Sequence, residues 1–93
     1  MGRSRVDQRR LANRQRVKTL LQQLISEQSD VYSLFRQLYT IWCSNNAAVQ
    51  ELRPMFRLDG VEPDGHLSVT PEFTMRLRAL ASEILPKFED IPN

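Results

Sequence analysis

The segment 31–43 constrains the fold more than any other part of the chain, because it holds four of the seven aromatic residues. Written as a helix, it places its polar residues Ser33, Arg36, Gln37 and Thr40 in one narrow stripe. A helix that is apolar over the rest of its circumference must be covered by other segments. The segment is therefore predicted to be the central helix of a small bundle, with other segments packed on three sides.

The length and composition of the chain narrow its class. Ninety-three residues indicate one domain with a modest core, so association with a partner or a second copy is an open alternative. A hydrophobic fraction of 41% with 26% charged residues is typical of a globular chain rather than a disordered one. The sequence has no apolar run long enough for a membrane helix and no apolar segment behind its first arginines. With Cys43 as the single cysteine, expected to be buried, we predict a cytoplasmic or nuclear protein and no membrane contact.

The charge of the chain is divided unequally along its length. Residues 1–18 carry seven basic residues against Asp7 alone, a charge of +6, whereas the remaining residues carry six basic and ten acidic side chains, a charge of −4. One domain over residues 1–93 is predicted, divided into a basic N-terminal arm at 1–18, a packed body at 19–85 and a tail at 86–93.

The first half of the chain favours two helices. A helix from about residue 7 carries an apolar stripe that starts only at Val17. The polar run 26–30 then interrupts the pattern, and Ser29 or Asp30 can cap the next helix. The alternative is one unbroken helix to residue 43, because four apolar residues lie seven apart as in a coiled coil: Val17, Leu24, Val31 and Leu38.

The region after the central helix predicts a short helix and then a hairpin. A short helix over 47–53 is expected to end at Pro54, since the residue before a proline is pushed out of the helical conformation. Residues 56–58 and 66–69 alternate in polarity on either side of a run with two Asp-Gly pairs and a proline. Such a run favours a turn, and therefore a small β-hairpin or a hairpin-like loop.

The last helix has the clearest boundaries in the sequence. Thr70 is a suitable N-cap, Pro71 suits the first helical position, and Pro86 is expected to end the helix. Phe88 and Ile91 in the tail are expected to fold back onto the core. The predicted fold class is mainly α: a small three-to-four-helix bundle with a short β-hairpin or hairpin-like loop before the last helix.

Signals of catalysis or metal binding are sparse. The chain has one histidine, His66, and lacks a nucleophile elbow, a glycine-rich phosphate loop and a metal-spaced cluster. The run Asp64-Gly65-His66 followed by Glu72 resembles the second half of a calcium-binding EF-hand loop, but Gly60 falls at the position of the loop's first ligand. We predict no catalytic residue, no metal, no cofactor and no enzymatic activity.

The basic arm is the feature that points most directly to a function. Arginine suits phosphate through its fork of donors, and asparagine and glutamine can contact adenine edges. We expect a small regulatory protein that binds nucleic acid, either DNA or RNA. The candidate nucleic-acid-binding residues are Arg9, Arg10, Asn13, Arg14, Arg16 and Lys18. If about five phosphates of a duplex are neutralised, the slope of log affinity against log salt should be roughly −4 to −5.

The arm also resembles known arginine-rich helices. Its order of Arg, Asn and Arg ahead of leucines resembles the basic region of basic-leucine-zipper proteins, and its composition resembles the short arginine-rich helices that bind RNA hairpins. The zipper family has an arginine eight residues after its asparagine, whereas eight residues after Asn13 this chain has Leu21. The sequence therefore leaves two alternatives open: a helical protein-interaction module that contacts an acidic protein surface or a second copy, and a solvated helix end that aids solubility.

Overall fold

The computed structural model describes residues 5–26, 30–58, 60–62 and 69–91, with side chains described from residue 8 onward. Helix α1 covers Arg5–Ile25, α2 covers Val31–Asn45 and α3 covers Pro71–Ile84. Short 3₁₀ segments cover Asn46–Ala48, Gln50–Arg57 and Leu85–Phe88. The prediction of a mainly α chain is confirmed, and the helices pack as a bundle. No helix among the described residues is both long and apolar enough to cross a membrane.

Two separate helices, rather than one, form the first half of the chain. The Asp30 side chain accepts a hydrogen bond of 3.2 Å from the Ser33 backbone N–H and so caps α2, as the sequence predicted. Residues 27–29, which include the alternative cap Ser29, lie outside the described residues. The local cap makes a second helix start favourable at a point where the heptad pattern would have continued the first.

The helix with the most extensive packing against the other helices is α1, not α2. α1 packs against α2, against α3 and against the 3₁₀ turn Leu85–Phe88, whereas α2 packs between α1 and the 3₁₀ helix Gln50–Arg57. The prediction that 31–43 would be the central helix is therefore wrong. The physical reason is length: 21 residues make α1 about 31 Å long, enough to lie along both other helices. α2 still buries five apolar side chains, namely Val31, Leu34, Phe35, Leu38 and Ile41.

Cross-helix hydrogen bonds fix the directions of the helices. Arg16 bonds to Gln37 in the middle of α2, and only residues 26–30 connect the two helices, so α2 runs antiparallel to α1. The Arg78 side chain donates to the Leu24 carbonyl near the end of α1, while Arg14 reaches the Lys87 carbonyl near its start. α3 and the turn that follows it therefore also run antiparallel to α1.

The predicted hairpin is not supported, because its first arm is helical. Phe56 and Arg57 belong to the 3₁₀ helix Gln50–Arg57, and Pro54, expected to end a helix, lies inside it. Proline's fixed φ of about −65° suits a 3₁₀ helix, and the buried Met55 anchors the segment. The described residues form no sheet. Residues 63–68, which include most of the second predicted arm, lie outside them.

The predicted boundaries of the last helix are confirmed at its start. Thr70 Oγ1 accepts a hydrogen bond of 3.1 Å from the Phe73 N–H, and Pro71 occupies the first turn of α3. α3 ends at Ile84, and Pro86 continues in a 3₁₀ turn. The predicted return of the tail is also confirmed, because two tail side chains join the core, Phe88 and Ile91.

Candidate nucleic-acid interface

The described part of the basic arm is regular helix, and its N-terminal half lies at the surface. α1 begins at Arg5, and its side chains from Gln8 to Arg16 are exposed or half-buried. Val17 is the first of the described α1 side chains to be fully buried. The helix therefore has one half anchored in the core and one half facing solvent, as the late start of the apolar stripe predicted.

The Arg14 guanidinium is held by several hydrogen bonds and by an aromatic ring. One Nη donates to the Ala48 carbonyl at 2.8 Å and to Glu51 Oε1 at 3.1 Å, and the other donates to Glu51 Oε2 at 2.8 Å. The second Nη also lies 3.4 Å from the Lys87 carbonyl, and the guanidinium carbon is 4.4 Å from the centre of the Phe88 ring. Only 17% of the side chain is exposed. Arg14 thus ties α1 to three other segments of the chain.

The contact with Arg14 helps to lower the pKa of the Glu51 carboxyl group. Partial burial by itself raises the pKa of Glu51, but the hydrogen bonds from Arg14 and from the backbone, together with the charges of Arg14 and Lys87, outweigh it. The net result is a pKa below the ordinary value of the group. The ion pair is therefore favoured in its charged form in the folded protein.

Lys18 is also enclosed by the fold. Only 9% of it is exposed, and its Nζ donates to the Ile91 carbonyl at 2.7 Å and lies 3.4 Å from the Glu89 carbonyl. Backbone carbonyls at the end of the chain thus satisfy a charge that would be costly to bury alone. The ammonium group fastens the tail to α1.

Among the side chains of the arm that the structure describes, three other cations face solvent. Arg9 and Arg10 are exposed on the free half of α1, and Arg16 is exposed while donating to Gln37 Oε1 at 2.8 Å. Asn13, half-buried, lies between them in the helix. The six residues predicted as a nucleic-acid site are thus divided into an exposed set, a half-buried amide and two enclosed cations. Their binding role stays a prediction.

A groove between α1 and α2, lined by both polar and apolar surface, adjoins the exposed cations. Its volume is about 330 Å³, and it is lined by Gln15, Arg16, Thr19, Leu20, Gln23 and Gln37. The sequence contains part of this feature, since Gln15, Thr19 and Gln23 recur every four residues along one side of a helix. Only the packing of α2 adds Gln37, which the sequence places simply in the polar stripe of the segment 31–43.

Other candidate chemistry in the described residues is limited. They contain no group of three or more His, Cys, Asp or Glu side chains that could hold a metal ion, and His66 lies outside them. Cys43 is exposed, so the expectation that it would be buried is wrong. The exposed arc of α2 is wider than its polar stripe, because it also includes Cys43 and Tyr32.

Comparisons of the chain with protein-family models, with curated proteins and with solved structures found no match. A function therefore has to be inferred from the charge, burial and geometry of the chain's own residues. The features that bear on it are a helical bundle, a helix end with exposed arginines, and a groove of mixed polarity beside that end.

Proposed function

We propose that this protein is a small, non-enzymatic, regulatory nucleic-acid-binding protein of the cytoplasm or nucleus, which contacts phosphates through the exposed half of α1. The observation that carries the proposal is the exposure of Arg9, Arg10 and Arg16 on one helix. No acidic residue occurs from residue 8 to residue 26, so no carboxylate within α1 after Asp7 neutralises these cations.

The spacing of the exposed cations fits a phosphate backbone. Arg9 and Arg16 are seven residues apart, which is about 10 Å along a helix. One strand of a duplex carries a phosphate every 3.4 Å of its axis, but the strand winds around that axis and its phosphates are farther apart, so this span covers about two of them. Arginine adds a planar fork of donors that matches the phosphate oxygens.

The enclosed cations make a smaller contribution in this proposal. Arg14 and Lys18 already donate to Glu51 and to backbone carbonyls, and releasing them would cost the fold those bonds. The three exposed cations should then neutralise about three phosphates rather than five. The slope of log affinity against log salt should be about −2.7 for duplex DNA and about −2 for a single strand.

The test is a fluorescence-anisotropy titration with labelled duplex DNA, single-stranded DNA and hairpin RNA between about 50 and 200 mM salt. The test variant combines Arg9→Ala, Arg10→Ala and Arg16→Ala. The matched control combines Arg53→Ala, Arg57→Ala and Arg76→Ala, which removes the same charge from exposed positions outside α1.

We expect the test variant to lose salt-sensitive binding and the control to retain most of it. Equal losses in the two variants would assign binding to net charge rather than to α1. Absence of binding at low salt would overturn the proposal and direct the search to an acidic protein partner.

A protein-interaction module is the second candidate, and an aromatic cluster favours it. The rings of Tyr39 and Trp42 lie 5.7 and 5.3 Å from the half-buried ring of Phe56, and all three are only partly covered. Tyr32 is 43% exposed and Met75 is 72% exposed. Aromatic residues are enriched in the centres of protein interfaces. Light scattering after size-exclusion chromatography tests self-association, and a strict monomer with Trp42 fluorescence typical of full burial would oppose it.

A further inference from the structure

We infer that the groove between α1 and α2 accepts an unpaired nucleobase, so that the preferred ligand is single-stranded or looped nucleic acid rather than a regular duplex. This inference rests on the proposed nucleic-acid binding. It concerns the groove lined by Gln15, Arg16, Thr19, Leu20, Gln23 and Gln37.

The groove lies next to the exposed cations of α1. Arg16 belongs both to the exposed cations and to the groove lining. Arg9, Arg16 and Gln23 follow one another at intervals of seven residues, which places them on the same side of α1. A strand whose phosphates follow Arg9 and Arg16 therefore has its next nucleotide at the mouth of the groove.

The groove lining combines amide and hydroxyl groups with apolar surface. Gln23 carries an amide with both a donor and an acceptor, which is the pattern that the polar edge of a base presents. Gln37 also lines the groove, but its Oε1 accepts from Arg16 at 2.8 Å and its Nε2 donates to Ser33 at 3.5 Å, so a base would have to exchange for these bonds. Thr19 adds a hydroxyl, and Leu20, which is 4% exposed, supplies apolar surface. The volume of about 330 Å³ lies at the lower end of the range of small-molecule sites.

Sterics exclude the bases of a regular duplex from this groove. The Arg16 side chain bonds to Gln37 at 2.8 Å, so α2 lies directly beside α1 here. The major groove of DNA is about 12 Å wide and admits one helix, whereas two packed helices have axes 8–10 Å apart and are together too wide. A base that has left its stack can enter between the two helices, where a stacked base cannot.

The experiment compares three labelled ligands of about 12 nucleotides, within the site sizes of single-strand binders: a DNA strand, its duplex, and the strand with abasic sites. An RNA strand of the same sequence shows which sugar is preferred. The test variant is Gln23→Ala, because Gln37 also holds Arg16, one of the proposed phosphate contacts. The control is Gln22→Ala, an exposed glutamine outside the groove lining.

We expect the intact protein to bind the strand about tenfold more tightly than the duplex or the abasic strand, as loss of one or two hydrogen bonds would give. The test variant should bind the strand as weakly as the intact protein binds the abasic strand, with an unchanged salt slope. The control should match the intact protein. If the melting temperature of the test variant is well below that of the intact protein, Thr19→Val replaces it, since this change keeps a similar side-chain volume in the groove lining.

The possible failures are distinguishable. Salt-sensitive binding that is equal for strand, duplex and abasic strand, with no loss in the groove variant, would overturn the groove inference and leave the phosphate contacts intact. Absence of binding to every ligand at low salt would overturn the proposed function itself.

Discussion

Arg14 and Lys18 are enclosed by the fold, whereas Arg9, Arg10 and Arg16 on the same helix face solvent. All five belong to one basic segment and carry the same charge. The enclosed pair lies where the 3₁₀ segments and the returning tail offer a carboxylate and backbone carbonyls. The number of cations in a basic segment therefore overstates the number that can bind a ligand. The surroundings of each side chain decide its role.

The largest expected effect on the free energy of unfolding comes from replacing the enclosed Arg14. Arg14→Ala should lower the free energy of unfolding by about 3 kcal/mol, because it removes several hydrogen bonds and leaves the partly buried Glu51 without its counter-charge. Arg10→Ala, one turn away on the exposed half, should change it by less than about 0.5 kcal/mol. Urea unfolding measures both, and equal changes would contradict the division.

Lys18 should show the next largest effect. Lys18→Met keeps most of the buried side-chain volume but leaves the Ile91 and Glu89 carbonyls without their donor, so we expect a loss of about 2 kcal/mol in unfolding free energy. Arg16→Met is the matched change at an exposed position and should cost less than about 0.5 kcal/mol. Hydrogen exchange of the tail amides should also rise in the Lys18 variant only.

The pH dependence of stability isolates the ion pair. Because the pKa of Glu51 is lower in the folded state than its ordinary value of 4.5, the ion pair stabilises the protein above that value. This stabilisation is lost as the pH falls from about 4.5 through the lower folded-state pKa. Glu51→Gln should therefore remove part of the acid sensitivity, as chemical unfolding at several pH values would show. An unchanged pH profile would mean that the pair adds no net stability.

The smallest expected effect on stability belongs to the exposed cations. The combined Arg9, Arg10 and Arg16 to Ala variant should unfold within about 0.5 kcal/mol of the intact protein while losing nucleic-acid binding. Thermal melting beside the anisotropy titration checks this. A strongly destabilised variant would show that these residues also support the fold and would contradict the division between exposed and enclosed cations.

The sequence predicted the locally determined features well. Asp30 and Thr70 both cap helices through a hydrogen bond to the backbone three residues later. The start of the buried stripe at Val17 follows from helical periodicity. The predictions that residues 56–58 form a hairpin arm and that Pro54 ends a helix are wrong. Alternating polarity is compatible with a strand and with a 3₁₀ helix alike, and the fixed φ of proline suits a 3₁₀ helix. Packing of Phe56 against Phe35, with ring centres 5.3 Å apart, favours the helical conformation.

The candidate site was only partly predictable from the sequence, because local patterns do not encode contacts between distant residues. The sequence by itself determined where the helices begin, which stripe of α1 is apolar, and that positive charge gathers at one end, because these depend on residues a few positions apart. Only the tertiary structure decided which cations remain exposed, since Arg14 meets Glu51 at a separation of 37 residues and Lys18 meets Ile91 at 73. It also brought Gln37 to the groove beside Arg16. Contacts at such separations depend on how the helices pack, and no local pattern encodes them.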